Sequence, residues 1–139
     1  MKRLLLLCLT VATISVSAQK VSESKVPEAV KAVFTKGYTG IVGKWMKEDG
    51  NYEVTFDKDN KKMTLVIAPA GTLVQTEYAI TKAELPKGAV DYLAANAKGV
   101  NIKEMAHILK PNGEIQYEAE VKGKDILFDK DGKFLSKEK

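Results

Sequence analysis

The chain has little of several residues that carry chemistry. Its 139 residues include one cysteine, one histidine and one arginine. Cys8 and Arg3 both fall in the first 18 residues, where Lys2 and Arg3 precede an apolar run from Leu4 to Ile14 and Val16-Ser17-Ala18 follows it. That pattern predicts a secretory signal peptide over 1–18, cleaved before Gln19. The run is too short to cross a bilayer, which needs about 20 apolar residues, and no second one follows. An exported, soluble mature chain without a membrane span is expected, periplasmic or secreted. Without Cys8 it has no disulfide, thiol nucleophile or thiolate metal site. Without Arg3 it lacks the planar fork that grips phosphate and guanine. Removing Lys2 and Arg3 leaves 20 basic residues against 18 acidic ones, with no basic cluster in the sequence. Nucleic acid is therefore not an expected partner. With His107 alone, no histidine pair can hold a metal, and no cofactor is expected.

What the chain does have is a stretch that occurs twice. Residues 64–77 and 125–138 match without a gap at a shift of 61. Each has three apolar residues, a turn ending in Gly71 or Gly132, and an apolar pair, Leu73-Val74 or Phe134-Leu135. Upstream, Tyr52-Glu53-Val54 answers Tyr117-Glu118-Ala119, and Val26-Pro27 answers Leu85-Pro86. An internal repeat is the reading, with units over 19–80 and 81–139 forming one body.

Each unit reads as one helix and four strands. Residues 19–25 are polar and are expected to fray. A helix opens at Pro27, shows Val30, Val33 and Phe34 on one face, and ends at Gly37. Strands are expected over 41–46, around Tyr52, Val54 and Phe56, and over 63–68 and 72–80. Asp49-Gly50 makes the first hairpin turn. In the second unit Thr81 and Glu84 have capping-box spacing. Pro86 would then lie inside the helix at about 3 kcal/mol, so the helix is placed from Pro86, with Val90, Leu93, Ala94 and Ala97 inward. A strand over 100–109, the Asn112-Gly113 turn, an alternating strand from Ile115 to Val121, the Lys122-Gly123 turn, and strands over 125–128 and 133–136 complete it. Short connections dictate an antiparallel meander with the helices across one face. The fold class is α+β.

Leu85-Pro86, Tyr92-Leu93, Asn112-Gly113, the run from Tyr117 to Asp125 and Phe128-Asp129-Lys130-Asp131-Gly132 carry a family likeness. In them the chain resembles the PepSY-like, beta-lactamase-inhibitor-like (BLIP-like) exported proteins of Bacteroides-type bacteria, over roughly 26–138. The first unit departs where Ala68-Pro69-Ala70 replaces the acidic turn. The resemblance implies a duplicated helix-plus-four-strand module outside the cytoplasm that binds or inhibits rather than catalyses. It supplies no site residues, and fold does not fix function.

Candidate chemistry is sparse. His107, beside Lys103 and Lys110, reads as solvent-facing. Asp57-Lys58-Asp59-Asn60 and Asp129-Lys130-Asp131-Gly132 resemble the start of a calcium loop. The glutamate needed at position 12 is Ala68 in one and beyond the C-terminus in the other, so both read as turns. Glu53 and Glu118 are equivalent carboxylates, yet nothing signals a cleft, and no enzyme is expected. The expected site is the sheet face away from the helices. If Leu65, Ile67, Ile126 and Phe128 face the helices, Val66 and Leu127 point outward. With Leu73 and Phe134 inward, Val74 and Leu135 lie outside too. These four aliphatics, with Glu53, Thr55, Glu118 and Glu120 around them, read as a recognition surface with a polar rim. A protein partner, or a second copy of the chain, is the expected occupant. A carrier of a small apolar ligand between sheet and helices is the alternative.

Overall fold

Nine strands hydrogen-bond in strict sequence order in a computed structural model that describes residues 18–138. They are β1 (Gln19–Lys20), β2 (Lys44–Glu48), β3 (Asn51–Lys58), β4 (Lys61–Ile67), β5 (Leu73–Ala79), β6 (Met105–Leu109), β7 (Ile115–Glu120), β8 (Asp125–Asp129) and β9 (Phe134–Lys137). Every neighbouring pair is antiparallel; short turns join six of the pairs, and the β1–β2 and β5–β6 connections pass through the helices. The protein is α+β, with one open antiparallel sheet and two α-helices among the described residues, α1 (Glu28–Gly37) and α2 (Lys87–Asn96). The β5–β6 pairing makes the sheet continuous between the halves.

The helices begin where the prolines direct. Pro27 and Pro86 are the N-cap residues, held extended, and Glu28 and Lys87 start the helices. Ahead of α2 the capping box at Thr81 and Glu84 is formed, closing a short 3-10 turn (Lys82–Glu84). Pro86 therefore never has to enter that turn. The N-terminal segment does not fray: Gln19 and Lys20 pair with β2, and Glu23–Lys25 form a matching 3-10 turn.

Each helix covers its own core. Under α1 lie Val30, Phe34, Trp45, Val54, Phe56, Met63, Leu65 and Ile67. Under α2 lie Leu85, Ala89, Leu93, Ala97, Ala119, Val121, Ile126 and Phe128. The inward stripe of α2 thus runs through Ala89, Leu93 and Ala97, whereas Ala94 is exposed. Spacing of four follows the face more closely than the expected Val90–Ala94 set. Two expected strands are shorter than their periodicity. Residues 41–43 and 100–104 lie outside strands. Ile41, Val100 and Ile102 still pack against the cores, so alternation there reports burial, not pairing.

Hydrogen bonds of the first half have counterparts in the second. The Tyr38 N–H donates to Phe34 and the Ile41 N–H to Tyr38. Ala97 donates to Leu93 and Val100 to Ala97 in the same way. The Gly71 N–H donates to Ala68, as that of Gly132 does to Asp129. Both glycine turns are flanked by a register shift, at Val66/Ile67 and at Leu127/Phe128. The shifts leave Val74 and Leu135 out of the pairing register, 37% and 45% exposed. Phe134 was expected inward. It pairs with Phe128 across the strands, yet it is 38% exposed and stacks on Tyr92 at the helix edge instead.

The helix-side surface holds a further correction. His107 does not project into solvent but is half-buried between Tyr78 (5.8 Å between ring centroids) and Tyr117 (5.3 Å). Register sets it there, because Tyr78, His107 and Tyr117 are directly opposed on three adjacent strands.

Candidate functional site

The sheet face away from the helices is rolled, and the roll makes the site. Residues of every strand from β2 to β8 line one cavity of about 660 Å³. In a flat sheet the six strand steps from β2 to β8 would span about 29 Å. Glu48 of β2 and Asp125 of β8 nevertheless line the same cavity.

Cross-strand register supplies the lining. Thr55 opposes Thr64, with their hydroxyls 3.0 Å apart. Thr64 opposes Glu77, Ala79 opposes Ala106, and Ala106 opposes Glu118. Threonines and alanines therefore occupy the middle strands, where small side chains leave room. Glutamates flank them. Seven carboxylates line the cavity (Glu48, Glu53, Glu77, Glu104, Glu118, Glu120 and Asp125) against two lysines, Lys62 and Lys103. Among the described residues none of the seven forms an ion pair. Glu77 alone accepts a side-chain hydrogen bond, 2.8 Å from Gln75 Nε2.

Crowding and partial dehydration raise the pKa of five of the seven. Burial first, then the charges of Glu77, Asp125 and Glu53, pushes Glu118 up to about 8. Burial and the Glu77 charge push Glu53 up to about 7. Asp125 rises to about 6 through burial and Glu120. Glu77 is raised by burial against the opposing Gln75 hydrogen bond, and Glu48 by burial and Asp49. Desolvation and like charge act in one direction here.

The structure brings four of the eight expected site residues together: Glu53, Thr55, Glu118 and Glu120 all line the cavity. Val66, Val74, Leu127 and Leu135 do not. Val66 does point away from the helices, opposite Glu53, but it is buried, so it offers no open surface. Leu127 is half-buried opposite Glu118. Sequence reasoning missed Glu48, Glu77, Glu104 and Asp125. Among the described residues no group of three or more His, Cys, Asp or Glu is placed to hold a metal ion. The carboxylates surround a space rather than a point.

No protein-family model matches the chain, and no curated protein does. Solved structures do. A protein of Bacteroides eggerthii assigned to the periplasm superposes with a TM-score of 0.64 at 18% identity, covering 81% of this chain and 88% of that one. A DUF2874 family protein of Bacteroides uniformis gives 0.61 at 18%, covering 80% and 87%. A BLIP-like protein of Bacteroides fragilis gives 0.54 at 18%, covering 81% and 85%. The fold is that of the BLIP-like proteins of Bacteroides. Coverage of about four fifths of this chain exceeds either half, so the likeness is not confined to one half. No helix of the described residues is long and apolar enough to cross a membrane.

Proposed function

We propose that the protein is a non-enzymatic binding module of the periplasm whose concave sheet face receives a cationic segment of a protein partner. The observation that carries this is the cavity of about 660 Å³ with seven carboxylates and two lysines. A lysine or arginine side chain entering it would meet several unpaired carboxylates in a partly dehydrated setting, where a charge-assisted hydrogen bond is strong. Thr55 and Thr64 add hydroxyls, and the exposed aliphatics Val74 and Leu135 lie outside the cavity. The periplasmic assignment of the B. eggerthii protein supports the location, and the BLIP-like neighbour supports binding rather than catalysis. The matching hydrogen bonds and register shifts support reading 19–80 and 81–139 as copies of one unit. A second copy of the chain meeting face to face is the less favoured partner, because two acidic cavities repel. Nothing favours an apolar ligand held between sheet and helices, where Val30, Val54, Ile67 and Phe128 fill the space.

The test is calorimetric titration with a short lysine-bearing peptide and its norleucine counterpart. The lysine peptide should bind about tenfold more tightly at pH 8 than at pH 5.5, because Asp125, Glu53 and part of Glu118 lose their protons in that interval. Glu53→Gln with Glu118→Gln should remove most of that gain. Equal affinity for the norleucine peptide would sink the reading.

A further inference from the structure

A second cavity, of about 260 Å³, opens where α2 ends, and its lining has the opposite sign. Lys98 follows the helix, Lys122 and Lys124 belong to the β7–β8 turn, and Lys137 ends β9. Lys98, the Lys122–Lys124 pair and Lys137 are far apart in the sequence, which is why no basic cluster is visible there. No carboxylate lines the cavity, and among the described residues none of the four lysines forms an ion pair. Its inner wall is Ala97, Val100 and Val121.

The first half shows why there is a hole. Tyr38 holds the place in the hydrogen-bond pattern that Ala97 holds, each donating its N–H to the helix carbonyl four residues back. Phe56 stands two residues beyond Val54, as Val121 stands two beyond Ala119. Tyr38 and Phe56 pack ring against ring, with centroids 4.4 Å apart. The second half puts alanine and valine there. An aromatic pair is thus exchanged for a small apolar recess, and lysines ring its mouth.

A lysine near a helix C-terminus also complements the macrodipole. That accounts for Lys98 alone, since the other three come from the sheet. Lys122 moreover sits at positive φ (55°), a conformation that favours glycine or asparagine on backbone grounds. We infer that this recess binds a small phosphate-bearing ligand, its phosphate among the four ammonium groups and its body against Ala97, Val100 and Val121. Lysine suits phosphate as a movable point charge, and a doubly charged anion offsets the mutual repulsion of the lysines. The volume accommodates more than bare phosphate. A soluble phosphate ester and an anionic lipid headgroup present the same chemistry. The site is separate from the concave cavity but shares the β7–β8 turn with it, Gly123 lining the one and Lys122 and Lys124 the other.

The experiment measures binding of glycerol phosphate by calorimetry, and of phosphatidylglycerol-containing vesicles, against pure phosphatidylcholine vesicles, by co-sedimentation. Two double variants are compared. Lys122→Gln with Lys124→Gln removes charge, and Ala97→Tyr with Val121→Phe restores the first half's aromatic filling with all four lysines kept. Circular dichroism melts check that both are folded. Saturable glycerol phosphate binding, weakened about tenfold by either variant, establishes a soluble ligand. Binding to anionic vesicles alone, weakened by both variants, establishes a headgroup site. Failure to bind either probe, or binding indifferent to the filled recess, overturns the inference.

Discussion

Replacing Glu118 by glutamine should raise the thermal midpoint at pH 8 by about 10 °C and change it little at pH 4. Glu118 is half-buried in the rolled face, opposite Leu127, without a side-chain hydrogen bond or ion pair among the described residues. Its pKa of about 8 lies above the 4.5 of a free glutamate, so the folded state binds its proton more tightly than the unfolded one. The associated stability is fully present below pH 4.5 and is lost as pH rises through 8. Glutamine is isosteric and never charges, so it escapes that loss, which is on the order of 3 kcal/mol after solvent relaxation. For a domain of this size that corresponds to the stated midpoint shift. Calorimetry on both proteins from pH 4 to 8 checks it. Parallel pH profiles would show that Glu118 titrates normally. A residue that costs stability at neutral pH fits a face selected for binding.

Gly132→Ala should have a comparable effect of opposite sign, a loss of about 3 kcal/mol. Gly132 ends the β8–β9 turn at φ +84°, and an added Cβ would lie 2.5 Å from the Ala89 nitrogen and 2.9 Å from the Pro86 Cβ. The left-handed conformation costs a non-glycine residue about 1–2 kcal/mol, and overpacking adds about 1–3 kcal/mol. Backbone cannot swing aside as a flexible side chain does. In the first half Gly71 approaches Ala29 similarly, its nearest atom being the Ala29 oxygen at 2.8 Å. Gly71→Ala should therefore cost somewhat less. Urea titration of the two variants checks the order, and an undisturbed Gly132→Ala midpoint would show that the turn can move off α2.

Much of the fold was legible because its signals are local. Asp49-Gly50 and Asn112-Gly113 marked turns, Pro27 and Pro86 marked helix starts, and alternation in β3 and β7 identified inward Val54, Phe56 and Ala119. Errors arose where one signal serves two structures. Val100 and Ile102 alternate as a strand would, but they pack against the core outside any strand. His107 shares the phase of Met105 and Leu109, a cue that could have placed it on the helix side between the tyrosines. The site was only half legible, for a different reason. Alternation says which face a side chain takes, not how far the sheet rolls. The roll buries Val66, crowds Glu77 and brings Asp125 towards Glu48, residues more than 70 positions apart in the chain. The lysine recess was hidden likewise, since Lys98, Lys122 and Lys137 meet only after folding.

Site-specific photo-crosslinking in cells that export the protein tests the central claim most directly. A photoreactive residue at Thr64, inside the concave face, should form a discrete adduct with a protein partner, and the adduct should fade when Glu53→Gln and Glu118→Gln are added. The same residue at Ala94, exposed on α2, should form none. An adduct formed from Ala94 and not from Thr64 would place recognition on the helix side and contradict the account.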